Sequence, residues 1–199
     1  MSDLIPVHET FGPTVQGEGY WAGSVVSFIR LAGCPVGCPW CDTGYADGGK
    51  GLPREMKDID CLVQGVNTER VVISGGEPFI QPNLDELVSA LIDAEKLVHI
   101  ETSGANYRKL DNRAWITLSP KEHINPKYPV SIESWQTCSE AKIVVSNPDD
   151  FLFYEKRLQM VGRVYLQPEW INIDETLPMV LDILYQNPRF NLSLQTHKY

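Results

Sequence analysis

Apolar runs of strand length alternate along this chain with segments whose apolar residues recur at helical spacing, and this alternation constrains the fold most. Units of this β-α kind build a mostly parallel sheet with helices packed on it. Strands are expected near Val25 to Leu31, Arg70 to Ser74, Leu97 to Thr102, Trp115 to Leu118, Ala141 to Val145, Val164 to Gln167 and Asn191 to Gln195. Helical spacing fits Asp58 to Val66, Asn83 to Glu95, Asp149 to Met160 and Glu175 to Gln186, with Pro82 and Pro148 where helices begin. Four helices among six or seven strands are lean for a closed barrel.

The length of 199 residues suits one domain spanning 1–199, and neither an internal repeat nor a composition shift divides it. No stretch approaches the roughly 20 apolar residues of a membrane span. The start, Met1-Ser2-Asp3-Leu4-Ile5-Pro6, lacks the basic and apolar character of a signal peptide, so a soluble, cytoplasmic protein is expected, with no membrane partner. A net charge of −9 repels phosphate backbones and argues against nucleic acid. A small molecule is the expected ligand.

Two long irregular segments, Gly33 to Arg54 and Pro120 to Ser139, interrupt the alternation, and loops of this length are usually functional. The first contains Cys34-Pro-Val-Gly-Cys38-Pro-Trp-Cys41, three thiols within eight residues. Thiolates suit iron–sulfur clusters or zinc. Structural zinc takes four ligands, commonly from two separated pairs, and no second Cys pair or nearby His is present. A four-iron cubane on three cysteines keeps one iron open for another ligand. Cys61 and Cys138 stand alone and are expected to be packing residues.

With Trp40 before its last cysteine, the Cys-x3-Cys-x2-Cys run resembles the cluster motif of the radical S-adenosylmethionine superfamily. Gly75-Gly76-Glu77-Pro78, an ordinary turn if read alone, follows a strand where that superfamily holds the cofactor's amino group. Further segments narrow the resemblance to the 7-carboxy-7-deazaguanine synthases over nearly the whole chain. They are Thr14-Val15-Gln16-Gly17-Glu18-Gly19, Phe28-Ile29-Arg30-Leu31-Ala32-Gly33-Cys34, Cys41-Asp42-Thr43, Ser74-Gly75-Gly76-Glu77-Pro78, Glu101-Thr102-Ser103-Gly104, Ser119-Pro120-Lys121, Leu166-Gln167-Pro168 and Gln195-Thr196-His197-Lys198.

This resemblance implies an α/β fold, an incomplete, modified (β/α) barrel of the radical S-adenosylmethionine type. It implies a lyase that contracts the ring of 6-carboxy-5,6,7,8-tetrahydropterin to 7-carboxy-7-deazaguanine with loss of ammonia, on the route to queuosine and related bases. The implied cofactors are a 4Fe-4S cluster on Cys34, Cys38 and Cys41, S-adenosylmethionine and Mg²⁺. An electron from the cluster would cleave the sulfonium, the resulting 5′-deoxyadenosyl radical would abstract a substrate hydrogen, and return of that hydrogen would regenerate the cofactor. No catalytic side chain beyond cluster and cofactor is implied.

A pterin presents a flat edge of donors and acceptors plus one carboxylate, so its pocket needs fixed polar groups and a cation. Arg30, at a strand end, suits that carboxylate because its fork binds two oxygens, and Gln16 and Glu18 on a Gly-flanked loop suit the heterocycle. Val15, Gly17, Ser74, Glu101, His197 and Lys198 complete the substrate positions that the resemblance implies. It implies Thr43 as a Mg²⁺ ligand, in keeping with the ion's preference for oxygen. Trp40, Gly75, Gly76, Glu77, Ser103, Ser119, Pro120, Lys121 and Gln167 match cofactor-binding positions. The family's terminal segment closes over substrate; this chain stops at Tyr199, a few residues short of relatives, which leaves contacts from a longer tail outside it.

Two other functions fit the cysteines: a glycyl-radical-enzyme activating protein, which the Gln16-Gly17-Glu18-Gly19 and Gln195-Thr196-His197-Lys198 segments disfavour, and a non-catalytic metal-binding module. The family implies a homodimer and an electron donor such as flavodoxin or ferredoxin. Lys50, Arg54 and Lys57 put three cations within eight residues near the cysteines, a candidate docking patch for an acidic carrier.

Overall fold

Within each expected strand the side chains alternate between two environments, and that alternation organises the computed structural model, which describes residues 3–199. Ile29 and Leu31, Val71 and Ile73, Val98 and Ile100, and Ile143 and Val145 point to one face and are almost fully buried. Their alternate neighbours, Arg30, Ser74, His99, Glu101 and Lys142, are polar. Nine strands form one open sheet in the order β3-β1-β2-β4-β5-β6-β7-β8-β9. They are β1 (Leu4–Val15), β2 (Val25–Leu31), β3 (Glu55–Asp58), β4 (Arg70–Gly75), β5 (Leu97–Thr102), β6 (Trp115–Leu118), β7 (Glu140–Val145), β8 (Val164–Pro168) and β9 (Asn191–Leu192). From β2 to β9 every pairing is parallel, whereas β1 runs antiparallel to β2 and β3. The sheet does not close.

Helices α1 (Ile59–Gly65), α2 (Leu84–Asp93), α3 (Ile132–Thr137), α4 (Pro148–Leu158) and α5 (Ile173–Gln186) provide the cover. On α2, Leu84, Leu87, Val88 and Leu91 follow helical spacing and are fully buried in one cluster with side chains of β1, β2, β4 and β5. At about 1.5–3 kcal/mol for each side chain, this stripe secures the helix more than its sequence propensity does. Phe151, Tyr154 and Leu158 of α4 and Val180 of α5 pack a second cluster with β7 and β8. Pro148 begins α4 behind a reciprocal capping box between Asn147 and Asp150.

Residues 16–24, between β1 and β2, fold onto the polar face. Trp21 packs with Val26 and Val72 and its ring lies 5.0 Å from that of His99. The turn closes on itself through Gln16 N–H to Ser24 O and Gly23 N–H to Gln16 O. Gln16 and Glu18 are thereby placed against the middle of the sheet, beside Glu101 and Lys142.

Four expectations need correction. Strands β1 and β3 were not anticipated: Pro6, Gly12 and Pro13 break the strand pattern of the first, which carries a register shift between Phe11 and Thr14, and the second is short and polar. The segment 120–139 contains α3, capped by Ser131, whose hydroxyl accepts Ser134 N–H at 3.1 Å. Strand β9 ends at Leu192, well before Gln195. Cys61 is exposed on α1 and so lies outside the core, whereas Cys138 is half-buried against the second apolar cluster. No helix among the described residues is long and apolar enough to cross a membrane.

Candidate active site

The loop leaving β2 carries the three clustered cysteines as free thiols, Cys38 buried and Cys34 and Cys41 half-buried. It is pinned at several points. Gly33 N–H donates to the buried Tyr45 hydroxyl at 3.1 Å, Cys41 N–H to Cys38 O at 3.2 Å, and Asn125 Nδ2 reaches Val36 O at 2.9 Å. Burial pushes the Cys34 and Cys38 thiols up, so ligation there must displace protons.

The strand exits meet closely at β2 and β4. A Cβ on Gly76 would stand 1.8 Å from Gly33 O, and one on Gly75, whose φ is +127°, 2.2 Å from Leu31 O. Gly76 N–H donates to Leu31 O and Glu77 N–H to Gly33 O, each at 2.9 Å. This contact holds the cysteine loop against Gly75-Gly76-Glu77. Glu77 is itself buried, and its carboxylate accepts the Thr102 hydroxyl together with the N–H and hydroxyl of Ser103. Both Glu77 and Ser103 therefore serve first to bind the β4 exit to the β5 exit. After β6, Lys121 Nζ donates to Ser119 O and Oγ at 2.7 Å and sits 5.4 Å from the Trp40 ring centroid. Desolvation lowers the pKa of that ammonium.

Two adjoining clefts open at these carboxyl ends. The first has about 980 Å³ of open space and is lined by Cys34, Cys38, Trp40, Cys41, Gly75, Gly76, Glu77, Ser103, Ser119, Lys121 and Gln167. The second has about 790 Å³ and is lined by Val15, Gln16, Gly17, Glu18, Arg30, Thr43, Ser74, Glu101 and His197. Glu18, Asp42, Ser74, Gly75 and Glu101 line both, so the clefts are continuous. The cofactor set and the substrate set expected from sequence thus fall largely into two adjacent compartments. Lys198 is an exception that opens on the first cleft, and Pro120 is buried and lines neither.

Arg30 stands in the second cleft with Nη1 2.8 Å from Glu9 Oε1 and its guanidinium 5.1 Å from the Phe11 ring centroid. Phe11 stacks on Phe28 with centroids 4.8 Å apart. Gln16 Nε2 donates to Glu101 Oε1 at 3.0 Å, and Gln195 Nε2 to Glu18 Oε1 at 2.8 Å. The other oxygen of Glu18 contacts Lys142 Nζ. Burial works against the Glu18 charge, but attraction and hydrogen bonding from Lys142, with Gln195, outweigh it and hold the pKa down at about 2. Burial likewise opposes the Lys142 charge, yet Glu101 and Glu18 raise its pKa overall.

The C-terminal segment covers this floor. Thr196 N–H donates to Gly17 O at 3.1 Å, and Lys198 Nζ and Gln195 Nε2 take the two oxygens of Asp42 at 2.8 and 2.9 Å. Asp42, Lys142, Gln195 and Trp170 are site residues that the sequence reading did not assign. A signal existed for Lys142, a lysine inside the otherwise apolar run from Ala141 to Val145.

The thiols also indicate what they can hold. Among the described residues, Glu18, Asp42 and His197 bring their ligand atoms within 4.8 Å of one another, whereas the three cysteines line the first cleft as free thiols. Three thiols on one side of an open cleft, with no fourth protein sulfur beside them among its lining residues, fit a cluster with an open iron.

An open, mostly parallel sheet with three cysteines after one strand and a Gly-Gly-Glu turn after the next defines a radical S-adenosylmethionine enzyme, and the Radical SAM superfamily model matches residues 28–123. Curated relatives carry the comparison to nearly the whole chain. The 7-carboxy-7-deazaguanine synthase of Flavobacterium psychrophilum is 36% identical over 99% of this chain and 92% of its own. That of Escherichia coli K12 is 32% identical over 98% and 97%. The crystal structure of QueE from Escherichia coli superposes with a TM-score of 0.81 at 30% identity, covering 98% of this chain and 95% of that one. Streptococcus suis SuiB, at 14% identity and a TM-score of 0.59, shares the fold alone. The chain belongs to the 7-carboxy-7-deazaguanine synthase family of radical S-adenosylmethionine lyases.

Proposed function

We propose that the protein converts 6-carboxy-5,6,7,8-tetrahydropterin to 7-carboxy-7-deazaguanine with release of ammonia, within a single domain. The observation that carries this reading is the continuity of the two clefts: a thiol-lined compartment opens into a polar one with a cation at its far side. Cys34, Cys38 and Cys41 would hold a 4Fe-4S cluster, and Trp40, Gly75, Gly76, Glu77, Ser103, Ser119, Lys121 and Gln167 would surround S-adenosylmethionine. Together these groups supply, when bound, the radical that abstracts a substrate hydrogen. The chain's own residues bind and orient. Arg30, steadied by Glu9 and Phe11, takes the substrate carboxylate, and Thr43 in the same cleft would hold a Mg²⁺ beside it. Gln16, Glu18 and Glu101 read the N–H edge of the ring, and His197 closes over it from the C-terminal segment.

Two finer points belong to the same reading: action as a homodimer, and reduction by a flavodoxin or ferredoxin. Lys50 and Arg54 are exposed and could meet an acidic carrier, while Lys57 pairs with Glu55 at 3.4 Å and contributes less. Reversal of Lys50 and Arg54 to Glu should slow carrier-driven turnover and spare dithionite-driven turnover.

Anaerobic reconstitution followed by incubation with the carboxylated tetrahydropterin, S-adenosylmethionine, Mg²⁺ and dithionite should yield the deazaguanine acid and ammonia. Cys34→Ala, Cys38→Ala and Cys41→Ala should each lose iron and activity, whereas Cys61→Ala and Cys138→Ala should keep both. A reconstituted protein that binds S-adenosylmethionine but leaves the pterin unchanged would overturn the reading.

A further inference from the structure

Lys142 lies on the polar face of β7 with its side chain only 5% exposed. A lysine so far from water needs its charge matched. Two carboxylates match it, Glu18 through Oε2 in direct contact and Glu101 through Oε1 at 3.7 Å. Glu140, the nearest inward carboxylate on the same strand, is engaged elsewhere, by the Thr117 hydroxyl at 2.7 Å and Tyr20 N–H at 3.1 Å. Neutral amides complete the arrangement, Gln16 on Glu101 and Gln195 on Glu18.

Stability alone does not ask for such a cluster, since well-packed apolar side chains of similar volume commonly serve a core as well or better. Its place does suggest a purpose. Glu18 and Glu101 line both clefts, where Arg30 and Thr43 stand on the substrate side and the cysteines on the other. Two ionised carboxylates turned toward one ligand repel each other, and a cation seated between them removes that cost and fixes their separation.

We propose that Lys142 is a positioning residue: its ammonium sits between Glu18 and Glu101 and presents both carboxylates as acceptors for the N–H edge of the pterin ring. This rests on the substrate reading above. Lys142 itself need not touch substrate, because each carboxylate oxygen has a further lone pair to offer.

The test is Lys142→Met in the reconstituted holoenzyme, with equilibrium binding of the carboxylated tetrahydropterin, binding of S-adenosylmethionine, iron content and steady-state kinetics. Pterin affinity should fall by about tenfold or more, as expected when a buried charge pair loses one partner. Iron content and S-adenosylmethionine affinity should stay within about twofold, and KM should rise more than kcat falls. Equal pterin affinity in a folded Lys142→Met protein, or an equal loss for S-adenosylmethionine, would overturn the assignment. If the single variant fails to fold, Lys142→Met with Glu18→Gln removes the stranded charge and should fold; failure there also overturns it. The double variant should bind pterin more tightly than the product of the two single losses predicts, and simple multiplication would show that Lys142 does not act through Glu18. Should wild-type protein bind no pterin at all, the substrate reading falls instead, which keeps the two failures distinct.

Discussion

Arg30 faces the second cleft between an anion and an aromatic ring, a setting that restrains a long side chain before substrate arrives. Arg30→Ala should therefore weaken pterin binding and turnover by about 2–5 kcal/mol, with iron content unchanged. Arg30→Lys should recover only part, because an ammonium lacks the two-pronged fork. Wild-type pterin affinity in Arg30→Ala would remove it from the carboxylate site. Residues of this kind were legible because they stand in short motifs at strand ends. Lys142 left only the weak signal of one lysine in an apolar run, which does not break the pattern of a buried parallel strand and points to no partner. What sets it apart is the match with Glu18 and Glu101, which lie 124 and 41 positions away in the chain and meet it only through the fold.

At the scale of elements, the site depends on backbone contact between strand exits and between the first loop and the chain's end. Gly76→Ala places a methyl group against Gly33 O, a backbone atom that cannot swing aside. It should cost at least about 3 kcal/mol and reduce iron loading, read by thermal melting and iron content. Gly17→Ala makes a milder conflict. Its Cβ would lie 2.2 Å from His197 Nδ1, a movable ring, though also 3.0 Å from His197 N. The fold and cluster should survive while the terminal segment shifts and pterin affinity falls; an unchanged affinity would show that His197 takes no part in closing the cleft. The parallel strands and four of the helices were legible from periodicity. The antiparallel β1 and β3 were not, because Gly and Pro mask the first and the second gains its strand form from pairing with β1.

Considered as a whole, the molecule carries a buried ionic layer beneath its site, and acid should test it. His99 is fully buried, with Nε2 2.6 Å from Thr117 Oγ1, whose own hydroxyl donates to Glu140. Desolvation first, and Lys142 second, lower its pKa from an ordinary 6.5 to about 3. The folded protein thus keeps the imidazole neutral where the unfolded chain protonates it, so its contribution is complete above about pH 6.5 and is lost as pH falls toward 3. Glu18 behaves alike in a lower window, from 4.5 down to about 2. Glu140 opposes them: burial raises its pKa, so the folded state takes up that proton first and gains stability as pH falls toward 4.5. The raw stability curve mixes these effects, and a comparison with His99→Gln, whose amide can still donate to Thr117, separates the imidazole. Between pH 6 and 5 the advantage of wild type over His99→Gln should shrink by about 1.4 kcal/mol per pH unit, measured by denaturant unfolding. A difference that stays constant across that range would mean that His99 is protonated in the folded protein, which the cation at Lys142 and the burial around it argue against.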